Sequence, residues 1–204
     1  MFSKTSKLGD EMVEHSYYDQ LARDITDQLL REWQQEPFRW ESEIDIQSEL
    51  YGRLSADFQL VGKSIVSYSP SGKAARIAAE PTVYYEVADL GECRCKPDIV
   101  IRDDVVEKPT DGGHWPLIWV CELKFDPIYK ADGPNPDIPK VRALIQQKKT
   151  KYGCCVRLSH RPAPVGEEIT WKQDEQNQFH WICEVHVLPT PGTLAETHIT
   201  LPPA

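Results

Sequence analysis

The chain has 204 residues, 40% of them apolar and 27% charged, with a net charge of −9. A chain of this size holds one domain and buries a core without disulfides or a structural metal. The composition excludes a disordered or collagenous chain, the acidic balance excludes a histone-like binder acting by bulk charge, and no apolar run approaches the ~20 residues of a membrane helix.

Taken in chain order, residues 1–10 read as a disordered start. Met1–Lys7 leads into acidic residues rather than an apolar stretch, so no secretory leader is expected. A helix is predicted from Glu11 to Glu36, with Leu21, Ile25, Leu29 and Trp33 on one stripe and Pro37 ending it. A second is predicted from Ser42, its N-cap, to Phe58, with Ile46, Leu50 and Leu54 facing inward. The period then changes. Ser64–Tyr68, Thr82–Val87, Cys93–Ile101 and Leu117–Phe125 read as strands, and residues 69–73 as a turn. Leu117–Phe125 is almost continuously apolar, which suits the centre of a sheet. Between the last two strands, Arg102–Pro116 reads as an exposed loop, and the loop at residues 126–136 carries three prolines.

A helix is predicted from Asp137 to Thr150, followed by a strand at Cys154–Leu158. A hairpin follows, of Ile169–Trp171 and Gln178–Leu188 about the polar turn 172–177. Residues 189–204 form a Pro- and Thr-rich tail. The expected fold is thus α/β, a mixed central sheet flanked by helices, in one domain spanning residues 11–188.

Charge is unevenly spread. Residues 1–50 carry 5 basic and 12 acidic side chains, whereas Ile138–Arg161 carries seven basic residues and no acidic one. The first segment suits a protein partner, the second a polyanion. Six cysteines lie at spacings that match no zinc ribbon, and read as reduced, buried thiols of a cytoplasmic protein. His180, Cys183 and His186 do not make a zinc site, because Cys183 points to the other face of the strand from both histidines.

The segments that carry chemistry are Lys96-Pro97-Asp98-Ile99-Val100-Ile101 and Val120-Cys121-Glu122-Leu123-Lys124. Residues two apart on a strand share a face, so Glu122 and Lys124 point the same way from the end of a buried run. Unpaired charge there is costly, so it requires a reason. If the Asp98 strand pairs with this one, two carboxylates and an ammonium meet in a hard-oxygen site suited to Mg²⁺. The bland alternatives are a strand-end ion pair for Glu122 and Lys124 and a turn role for Asp98.

This arrangement resembles the PD-(D/E)xK phosphodiesterase superfamily, of restriction-endonuclease-like fold. Pro97-Asp98 matches its PD, and Glu122-Leu123-Lys124 matches its (D/E)xK, 24 residues on. The resemblance covers residues 43–158 as the core, with the N-terminal helix added. It implies a nuclease using Mg²⁺ or Mn²⁺, held by Asp98, Glu122, the Leu123 carbonyl and Glu43 of the second helix. Glu49 is the second choice for that helix's acid, and Glu43 equally suits a charge at a helix N-terminus. Lys124 would orient the attacking water or stabilise developing charge. Lys140, Arg142, Gln146, Lys148, Lys149 and Lys151 would face substrate phosphates, with Gln147 also available. The implied partner is nucleic acid, DNA before RNA, with a homodimer suiting double-strand cleavage. Gln147 and Tyr152 are five apart, which departs from the Gln-x-x-x-Tyr of the exonuclease branch. The alternative is a non-catalytic interaction subunit on the same fold.

Overall fold

The computed structural model describes residues 4–37, 39–63, 65–68, 72–87, 91–103, 117–126, 135, 137–162 and 169–187. The loop carrying Trp115 and the tail at 189–204 lie outside these residues. Two helices open the chain: α1, Lys4–Gln35, and α2, Glu43–Leu60. α1 begins within the stretch expected to be disordered, where no proline interrupts it. α2 starts in a capping box. Ser42 Oγ accepts the Asp45 N–H, and Asp45 Oδ2 accepts the Ser42 N–H. This fixes Glu43 as the first helical residue.

Among the described residues ten strands and one further helix follow: β1 (Ile65–Tyr68), β2 (Gly72–Ala75), β3 (Ile77–Ala79), β4 (Val83–Val87), β5 (Gly91–Cys95), β6 (Ile99–Arg102), β7 (Leu117–Asp126), α3 (Asp137–Gln146), β8 (Thr150–Pro162), β9 (Thr170–Asp174) and β10 (Asn177–Val187). Six strands form the main sheet in the order β3-β6-β7-β8-β10-β9, while β1-β2 and β4-β5 are separate hairpins. β7 and β10 both run parallel to β8, and the other pairs are antiparallel. The class is therefore α/β with a mixed sheet, and β7 lies inside it as its apolar run requires.

Along β8 the side chains alternate between two cores. Cys154, Val156 and Leu158 pack with α1 and α2; Cys155 packs with α3 and with Val83 and Cys95 of the β4-β5 hairpin. Gly153 marks the tightest approach: a Cβ there would lie 2.5 Å from Val141 Cγ1 of α3. The two N-terminal helices are tied by Arg53, which bonds Glu32 bidentately at 2.7 and 2.8 Å and Glu49 at 2.9 Å.

Several boundaries differ from expectation for local reasons. The single strand expected at 93–101 is two strands, because Pro97 has no N–H to continue a ladder and β5 turns back onto β4. α3 stops at Gln146, where Lys148 takes a left-handed φ of 56° and the chain reverses into β8. β8 is longer than predicted, and the terminal hairpin turns at residues 175–176 rather than over 172–177. Among the described residues, no helix is long and apolar enough to cross a membrane. All six cysteines are free thiols; five are buried and Cys93 is half-buried.

Candidate active site

β6 accompanies β7 only as far as the pair Ile99–Cys121. Continuing that register would set Pro97 against Leu123, and Pro97 cannot serve the ladder as a donor. β7 runs on, so its outward N–H groups need other acceptors. Two carboxylates supply them. Asp98 Oδ2 accepts the Leu123 N–H at 2.6 Å, and Glu43 Oε2 accepts the Phe125 N–H at 3.1 Å. The site thus forms where one strand leaves another and side-chain acids complete the edge.

Asp98 is held by its backbone as well. Its carbonyl accepts the Gln47 side-chain amide at 2.8 Å and the Glu80 N–H at 3.1 Å. Burial raises its carboxyl to a pKa of about 6, opposed by the Leu123 N–H and reinforced by the nearby Glu43 charge. Glu122 is more deeply placed, with 3% of its surface exposed. Burial lifts its pKa to about 8, against the pull of Lys140. Lys124 Nζ lies 3.9 Å from Glu43 Oε2.

Lys140 enters from α3. Its Nζ lies 2.8 Å from Glu122 Oε1 and 3.0 Å from Asp137 Oδ1. Burial disfavours its charge, but the two carboxylates outweigh this and raise its pKa. Glu43, Asp98, Glu122, Lys124 and Lys140 therefore converge from α2, the β5-β6 bend, β7 and α3. Glu49 does not join them, being bound to Arg53.

The other basic candidates divide. Arg142 is committed to Asp174, with two bonds of 2.9 Å. Lys151 pairs with Asp103 at 2.9 Å. Gln147 clamps β4: its Oε1 accepts the Glu86 N–H at 2.8 Å, and its Nε2 donates to the Glu86 carbonyl at 2.6 Å. Gln146 and Lys148 are exposed and Lys149 is half-exposed. α3 and the turn after it thus spend Lys140, Arg142 and Gln147 within the chain.

His180 has a structural setting. Its Nδ1 lies 2.8 Å from Asp174 Oδ2, and its Nε2 lies 3.3 Å from Cys155 Sγ. Burial lowers its pKa despite the Asp174 carboxylate, so it is the neutral imidazole, donating to Asp174 and accepting from the thiol. Cys183 packs in the opposite core.

The donor set suits a hard divalent cation: buried carboxylates at a strand end, one of them with an oxygen beyond the one capping Leu123. Yet among the described residues, no three His, Cys, Asp or Glu side chains are gathered into a ready metal cage. The acids rest instead on two lysines and two backbone amides. Compared with family models, curated proteins and solved structures, the chain matches none significantly.

Two participants, Gln47 and Asp137, stand outside the sequence motifs, and Lys140 has another role than the one expected of it. Gln47, four residues after Glu43, anchors the Asp98 carbonyl; the inward helical spacing was the available signal. Asp137, three residues before Lys140, shares that lysine's ammonium. Lys140 was read as a phosphate contact, and its pairing with Glu122 carries no local sequence signal.

Proposed function

We propose that this chain is a metal-dependent phosphodiesterase that hydrolyses nucleic acid, built on a restriction-endonuclease-like core. One observation carries the reading: Asp98 caps the backbone N–H at the centre of Glu122-Leu123-Lys124, while Glu43 caps the next outward N–H and stands beside Lys124. The motif residues, distant in the chain, thereby share one strand end.

In this reading Asp98, Glu122, the Leu123 carbonyl and Glu43 would hold Mg²⁺ or Mn²⁺, which supplies a Lewis acid for the phosphate and lowers the pKa of water. Asp98 and Glu43 orient the β7 edge. Lys124, at the site's more open side, directs the attacking water and offsets charge developing on the phosphate. Gln146, Lys148 and Lys149 offer an exposed surface for the substrate backbone, DNA before RNA.

A second reading has its own support. Every acid of the cluster already has a partner within the chain, as an interaction subunit with a purely structural ion-pair network requires. Cleavage of plasmid, linear duplex, single-stranded DNA and RNA, with Mg²⁺, Mn²⁺ or EDTA, separates the two. Metal-dependent cleavage that disappears in Lys124→Ala and Asp98→Asn supports the enzyme. A folded wild-type protein that neither cleaves nor binds metal by calorimetry leaves the interaction subunit, with the acidic N-terminal helices as its surface.

A further inference from the structure

Glu122 is a buried carboxylate whose closest cation comes from another element. A charge so placed needs a counter-ion, because an uncompensated buried carboxylate is strongly destabilising. Lys140 provides it at 2.8 Å. A divalent cation binds carboxylate oxygen at roughly 2.0–2.5 Å. The Lys140 ammonium therefore stands where such a cation would approach Glu122 Oε1, and two cations crowded on that oxygen repel each other.

The surroundings give the amine somewhere to go. Asp137 Oδ1 lies 3.0 Å from Lys140 Nζ, one helical turn earlier on α3. Lys140 can release Glu122 and keep a carboxylate partner. The groups facing it come from three elements besides its own: Asp98 before β6, Glu122 on β7, and the Cys95 and Tyr85 side chains of the β4-β5 hairpin. Cys95 and Tyr85 stay protonated at neutral pH, burial raising both, so Asp137, Glu122 and Asp98 are the carboxyl groups that face the ammonium.

Resting on the phosphodiesterase reading, we infer that Lys140 is the resident counter-ion of the site: it pairs with Glu122 until a divalent cation displaces it, and then keeps Asp137 as its remaining partner. It is a positioning residue, acting through Glu122. Metal entry is thus an exchange of one cation for another, and the wild-type affinity is reduced by the cost of evicting an ammonium.

The test measures binding, apart from cleavage. Calorimetry with Mn²⁺ and Mg²⁺ compares wild type with Lys140→Met, and with Lys140→Gln should the first not fold. In parallel, nitrogen-15 NMR of the lysine ammonium groups follows Lys140 in the unaltered protein. The expected result is metal affinity at least about tenfold tighter in the variant, since one competing cation is gone. The Lys140 ammonium signal should also shift and lose exchange protection as metal saturates wild type. Unchanged or weaker affinity in the variant, or an ammonium signal unmoved at saturation, overturns the exchange and leaves the phosphodiesterase reading intact. If neither protein binds either metal, the exchange fails together with that reading.

Discussion

Asp98 accepts the backbone N–H of Leu123, the middle residue of Glu122-Leu123-Lys124, at 2.6 Å. A side chain implied to be chemical is thus also a piece of the sheet. Its two tasks separate by substitution. Asp98→Asn keeps an acceptor for Leu123, whereas Asp98→Ala leaves a partly buried N–H unsatisfied, at a cost of about 1–3 kcal/mol. Urea unfolding should show the alanine variant alone destabilised. Cleavage, under the proposed function, should be lost in both.

Acid–base linkage gives a second expectation. Asp98 and Glu122 have folded pKa values near 6 and near 8, raised above ordinary carboxylates. Between the ordinary range and those values, the folded state holds protons that the unfolded chain has released. These two groups therefore favour folding more as pH falls from about 8 toward 5, and their penalty is complete above the folded pKa values. Thermal melts in EDTA should show this component flattened in Glu122→Gln. An identical pH slope in wild type and variant would refute the assignment.

Gly153→Ala should destabilise the protein by about 1–3 kcal/mol through overpacking, because the added methyl meets Val141 Cγ1 at 2.5 Å. Tm is the measurement. Val141→Ala in the Gly153→Ala background should recover part of the loss, since the two sites touch.

The basic residues of α3 and its exit should fall into two classes. Arg142→Met leaves the buried Asp174 carboxylate without its bidentate partner and should cost about 3 kcal/mol or more. Lys148→Gln with Lys149→Gln should leave Tm unchanged. Should the chain bind nucleic acid, that double change lowers affinity and makes it less dependent on salt. Filter binding across a salt series reads this directly.

Much of this architecture was legible in local pattern. The stripes of α1 and α2, the Ser42 cap, the apolar run of β7 and the terminal hairpin follow from periodicity and capping chemistry. The break at Pro97 was not read, because apolar and β-branched residues resume beyond it and Cys93–Ile101 looks like one strand. Only the destination of β5, back onto β4, separates the halves. The motif residues were legible because Glu122 and Lys124 sit on a strand, and Asp98 just before a second one, whose pairing the apolar runs imply. Lys140, Arg142 and Gln147 were not. A basic helix face reads as solvent-directed, and nothing nearby in sequence reveals that Glu122, Asp174 and Glu86 will lie against it. Those partners are 18, 32 and 61 residues away.

The Gln147 contact with β4 has a consequence for how the protein behaves in company. A two-stranded hairpin leaves backbone donors and acceptors open along its edge, an invitation to any extended chain. Gln147 presents a carboxamide that meets both the N–H and the carbonyl of Glu86, as a neighbouring strand's peptide group would. One side chain thereby plugs the docking position a stray strand would need. Losing it should show first as concentration-dependent self-association, before any loss of fold.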